Sequence, residues 1–127
     1  METKPKYNLE SRTQRFSLAV IELCRSVKFD SITKPLVSQL IRSASSIGAN
    51  YREANNASSR RDFGYKISLC KKEAAETEYW LSMLASSSAG SYDRCNELKS
   101  ECHEMVLVFQ KISSATKVPV RKLEIGK

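Results

Sequence analysis

Gln39-Leu40-Ile41-Arg42-Ser43-Ala44-Ser45-Ser46-Ile47-Gly48-Ala49-Asn50-Tyr51-Arg52-Glu53-Ala54 is the stretch from which the fold is read. With the preceding Val37, the residues Leu40, Ala44, Ile47, Tyr51 and Ala54 follow one another at steps of three and four. A helix of 3.6 residues per turn gathers them on one stripe, which has to be buried against another. The partner stripe lies between Arg61 and Leu84, where Phe63, Ile67, Cys70, Ala74, Thr77, Leu81 and Leu84 repeat the same steps. Only the short polar run Asn55-Asn56-Ala57-Ser58-Ser59 separates the two. The two helices are therefore predicted to be antiparallel neighbours.

Working outward, Phe16, Val20, Leu23 and Val27 step by four, three and four and predict a first helix from about Leu9 to Phe29. Asn8 or Ser11 can cap it, and Ser11-Arg12-Thr13-Gln14 fits the capping-box pattern. Asp30, Ser31 and Thr33 break that helix, and Pro35 suits the first turn of the next, where a missing N–H is no loss. Ser59, with Asp62 three residues on, caps a third helix reaching about Ala85. After the turn Ser86-Ser87-Ser88-Ala89-Gly90, the positions Cys95, Leu98, Cys102, Met105, Phe109 and Ile112 predict a fourth helix ending near Thr116, and Pro119 bars its extension. The expectation is an all-α protein, an antiparallel up-down-up-down four-helix bundle over residues 8–116. Residues 1–7 are expected to be a flexible N-terminus and residues 117–127 a basic C-terminal tail.

Composition narrows the function. A chain of 127 residues with 41% hydrophobic residues can bury one ordinary core. No apolar run approaches 18 residues, and the first nine carry no apolar signal region, so no membrane partner is expected and a cytoplasmic location is. Cys24, Cys70, Cys95 and Cys102 contain no C-x-x-C; three fall on core stripes and Cys24 beside one, as buried reduced thiols would. A di-iron bundle asks for Glu-x-x-His on two helices, whereas the single His103 has Ser100 three residues before it. Gly48, Gly64, Gly90 and Gly126 are isolated, so no phosphate-cradling loop is present. No catalytic residue, metal or cofactor is expected, and the chain reads as a non-enzyme.

The net charge of +7 is unevenly spread. Residues 31–72 hold eight Lys and Arg against two Asp and Glu, whereas residues 73–104 hold two against seven. The basic block can face a polyanion, or the two blocks can meet each other within or between subunits. For the first reading the candidate nucleic-acid-binding residues are Arg42, Arg52, Arg60, Arg61, Lys66, Lys71 and Lys72, with Arg121 and Lys122 of the tail. They would neutralise phosphates rather than read bases. A second stripe, Tyr65, Leu69, Lys72, Glu76, Tyr79 and Met83 with Trp80 beside it, points away from the core. Aromatics and Met on an outward face suit an interface between copies, and base stacking is the other reading. Gly48, on an edge shared with Ile41, suggests the close approach of another backbone inside the bundle or across a subunit boundary. The oligomer-interface candidates are thus Ile41, Gly48, Tyr65, Leu69, Tyr79, Trp80 and Met83.

The opening stretch, Gln39 to Ala54, resembles the signature of the four helix bundle proteins encoded in 23S rRNA intervening sequences. Arg61-Asp62-Phe63, followed by Lys72-Glu73-Ala74-Ala75-Glu76-Thr77-Glu78-Tyr79-Trp80-Leu81, is similar to that family's second block. The chain departs from the pattern at Tyr51-Arg52-Glu53-Ala54, where many members read closer to Ile-Ala-Glu-Gly. The resemblance implies a compact bundle assembling as a ring, a homopentamer. It also implies kinship with the accessory variability protein of diversity-generating retroelements, which works with a reverse transcriptase and its template RNA. The expected function is a non-enzymatic oligomeric scaffold that binds structured RNA or other nucleic acid, as a possible accessory to a reverse transcriptase. The alternative is a protein–protein adaptor without intrinsic nucleic-acid affinity.

Overall fold

Four α-helices account for the fold: α1 (Leu9–Ser26), α2 (Thr33–Asn55), α3 (Arg60–Ser87) and α4 (Tyr92–Thr116). The computed structural model describes residues 8–116, and among these there is no strand. The two terminal segments expected from the sequence, with Arg121 and Lys122, lie outside the described residues.

The helix ends follow from local chemistry. Asn8, not Ser11, caps α1, its side-chain oxygen accepting from the Ser11 N–H at 3.2 Å. α1 stops at Ser26, three residues short of the predicted Phe29, because Val27 turns extended at φ −79°, ψ 135°. Val27 still fills the last position of the apolar stripe from outside the helix, while Phe29 is 62% exposed. Asp30 then organises the turn: its Oδ1 accepts from the N–H groups of Ile32 and Thr33, each at 2.9 Å. Those bonds, Thr33 first, hold the Asp30 carboxyl below its usual range. Ser59 accepts from the Asp62 N–H at 3.0 Å, the cap expected for α3. α3 runs two residues past Ala85, and a 3-10 turn over Ala89–Ser91 leads into α4.

Cross-helix contacts run in opposite numerical directions, which makes the neighbours antiparallel. Between α1 and α2, Thr13 lies against Gly48 and Ser17 donates to the Ala44 carbonyl at 3.0 Å. Between α2 and α3, Ser43 meets Thr77 at 2.8 Å, Ile47 accepts from the Cys70 thiol, and Glu53 meets Lys66. Between α3 and α4, Glu78 meets His103 and Lys71 meets Gln110.

The two stripes that decided the fold form the centre of the core. Leu40, Ile47, Ile67, Leu81 and Leu84 are fully buried with Val20, Met105 and Phe109 from the outer helices. Each such side chain contributes about 1.5–3 kcal/mol of transfer free energy. All four thiols are reduced and buried. Desolvation pushes Cys24 and Cys95 up to about 11 and Cys70 up to about 12, and raises Cys102 as well. Each is a protonated, inert thiol at neutral pH.

α3 packs along both α2 and α4, whereas α1 packs along α2 and meets α4 sparsely. Arg12 closes part of that seam with a fork to Glu101, at 2.7 and 3.1 Å, and a third bond to Glu104 at 3.0 Å. Below it, a groove of about 490 Å³ opens among Leu9, Tyr51, Leu107, Val108, Lys111 and Ile112.

Candidate nucleic-acid interface

Because α3 is held on both flanks, its remaining face points outward. Arg61, Tyr65, Ser68, Lys72, Ala75 and Tyr79 are all exposed and follow one another at steps of four, three, four, three and four. They form one straight stripe, roughly 27 Å long at 1.5 Å per residue. It carries two cations, two phenol rings and no carboxylate.

The carboxylates of α3 are drawn sideways. Glu73 and Glu76 both pair with Arg42 of α2, Glu73 at 3.4 Å. Glu78 lies 3.3 Å from Nδ1 of His103 on α4. Asp62 sits half-buried in the first turn of the helix. The helix is thus acidic towards its neighbours and basic towards solvent.

That geometry divides the residues singled out from the sequence. Arg42 is committed to Glu73 and Glu76, Lys66 to Glu53 at 2.7 Å, and Arg52 to Glu10 at 3.9 Å. The bond to Glu53 raises Lys66 above the usual lysine value. Arg60 donates to the Ala115 carbonyl at 3.3 Å and Lys71 to the Gln110 side chain, and neither has a carboxylate partner among the described residues. Arg61 and Lys72 have neither an ion pair nor a hydrogen bond among the described residues. The charge blocks of the sequence therefore meet within one chain at Arg42, and of the candidate cations among the described residues those left over are Arg60, Arg61, Lys71 and Lys72.

The second predicted set divides as well. Tyr65 and Tyr79 are 59% and 55% exposed. Leu69 and Met83 are half-buried, and Ile41 and Trp80 pack against the core. Trp80 donates its indole N–H to Glu76 at 2.9 Å and meets the Tyr79 ring edge-on with centroids 5.0 Å apart. Gly48 has its reason inside the chain: a Cβ there would stand 3.2 Å from the Thr13 hydroxyl on α1. A second subunit is not needed to explain that glycine.

Sequence reasoning left His103 without a partner and gave Arg12 no role. The signal for Arg12 was present in Glu101 and Glu104, three apart and thus on one face of α4. Among the described residues no group of three His, Cys, Asp or Glu is placed to hold a metal ion. No helix there is long and apolar enough to cross a membrane. The surface can neutralise a polyanion and offer flat rings to it; the buried, protonated thiols are withdrawn from chemistry.

A family model described as 23S rRNA-intervening sequence protein matches residues 6–111. No curated protein sequence matches the chain. Among solved structures the chain is similar to a protein with unknown function from the S23 ribosomal protein family of Bacteroides thetaiotaomicron. The two are 28% identical, the match covers 83% of this chain and 97% of that one, and the TM-score is 0.71.

Proposed function

The chain belongs to the 23S rRNA-intervening sequence protein family, and we propose that it is a non-enzymatic, self-associating scaffold that binds structured RNA through the outward face of α3. Neither the family description nor that of the solved relative names an activity, so the reading rests on the chain's own surface. The observation that carries it is the separation of charge on α3. Glu73, Glu76 and Glu78 are held by α2 and α4, which leaves Arg60, Arg61, Lys71 and Lys72 facing solvent without a carboxylate partner among the described residues. Phosphates are the groups such a surface attracts, by releasing the counterions condensed on the nucleic acid. A homo-oligomer would repeat the patch and multiply its avidity. An RNA–reverse transcriptase assembly is one target such a scaffold would serve.

A protein–protein adaptor is the second reading. It is favoured by the ion pairs that take Arg42, Arg52 and Lys66 out of the basic block. The salt dependence of binding to a structured RNA separates the two, measured on the wild type and on Arg60→Ala/Arg61→Ala/Lys71→Ala/Lys72→Ala, with light-scattering mass on both. The scaffold reading expects a steep negative log–log slope for the wild type, shallower by about 3 in the variant at unchanged mass. No binding at low salt would hand the function to the adaptor.

A further inference from the structure

We infer that the outward stripe of α3 takes unpaired RNA nucleotides, with Tyr65 and Tyr79 stacking on bases while Arg61 and Lys72 hold the phosphates between them. The inference rests on the RNA-binding reading and adds the state of the RNA that is bound. Arg61 lies one helical turn before Tyr65, and Lys72 lies midway between the two rings, seven residues from each. At 1.5 Å per residue this places a cation about 6 Å from the first ring and about 10 Å from either ring along the axis. Cation and ring alternate along one exposed line, and Ser68 and Ala75 keep the line low between them.

One of the two rings is held in place. Tyr79 stands edge-on at 74° against Trp80, whose N–H is fixed on Glu76, and Glu76 is in turn held by Arg42. A ring ordered before binding loses less freedom on stacking. A dry contact with another copy suits this line poorly. It would have to cover Lys72, and lysine is depleted from such interfaces. An A-form duplex suits it little better, because its bases are stacked inside and only phosphates and sugars meet a convex helix. An unpaired strand offers phosphates to the cations and π-faces to the rings, and structured RNA exposes such strands in its loops.

The test compares an oligouridylate with a blunt RNA duplex of equal phosphate number, both at fixed salt, on the full chain. The variant Tyr65→Ala/Tyr79→Ala is expected to weaken the oligouridylate at least tenfold and to move the duplex less than twofold. Tyr65→Phe/Tyr79→Phe, which keeps the rings, is expected to restore the oligouridylate affinity. Arg61→Ala/Lys72→Ala is expected to weaken both probes and to flatten the single-strand salt slope by about 1.4. All four positions are exposed, so these variants keep the core intact. Equal loss on both probes, or no loss on the oligouridylate, would overturn the stacking inference and leave the RNA reading standing. A fall in light-scattering mass for the alanine pair would overturn it in favour of a contact between copies. Binding of neither probe by the wild type at low salt would overturn the RNA reading itself, and the inference with it.

Discussion

Two glycines inside helices, Gly48 and Gly64, face different neighbours, and the difference is measurable. Thr13 cannot easily give way to a methyl at position 48, because it is buried and its hydroxyl is 2.7 Å from the Leu9 carbonyl. At Gly64 the nearest atom to an added Cβ is the Thr116 hydroxyl at 3.6 Å, an ordinary contact. Gly64→Ala is therefore expected to stabilise the fold by up to about 1 kcal/mol, the usual helix-interior difference. Gly48→Ala is expected to gain nothing or to destabilise, since crowding against Thr13 offsets the same helix-propensity gain. Urea titration of the two variants reads this directly. A mid-helix glycine marks a close approach at position 48 but not at position 64, and only the folded chain tells the two apart. The same holds for Arg42, whose partners stand 31 and 34 residues further along the chain.

Between α2 and α3 the packing is closed by a polar pair. Thr77 and Ser43 are both fully buried, their hydroxyl oxygens 2.8 Å apart, with the Glu73 carbonyl 2.8 Å from the first and the Leu40 carbonyl 3.3 Å from the second. Thr77→Val keeps the shape and removes the hydroxyl, at an expected cost of about 1 kcal/mol. Adding Ser43→Ala should recover part of that cost, because no orphaned hydroxyl then remains; the urea midpoints of the four members of the cycle, at constant slope, check it. Thr77 was legible as a core position from its spacing, but Ser43 was not, since nothing in the apolar pattern points to it. Helix existence was legible for all four elements because burial forces a 3.6-residue period on Leu40, Ile47, Ile67 and Leu81 alike. Helix ends were less so. Val27 continues the period past the point where α1 stops, because a residue just outside a helix can still fill the core.

At the scale of the molecule, charge summed along the sequence left two readings open, and ion pairs within the chain take up part of the basic block. The block from 31 to 72 is strongly basic on paper, yet Arg42, Arg52 and Lys66 spend their charge on carboxylates of the same chain. What the folded chain keeps is a narrower line on α3, and only the placement of Glu73, Glu76 and Glu78 reveals it. The sparse seam between α1 and α4 carries a different consequence, one of order in time. α2, α3 and α4 share the densest packing, so contacts among them are expected to form early. α1 has most of its contacts with one partner and is expected to dock late. Stopped-flow measurement on two core variants is expected to show it: Ile67→Ala slows folding, whereas Val20→Ala, equally buried, mainly speeds unfolding. A three-helix nucleus would then wait for its fourth helix, and the groove beside Leu9 would lie along the seam that closes last.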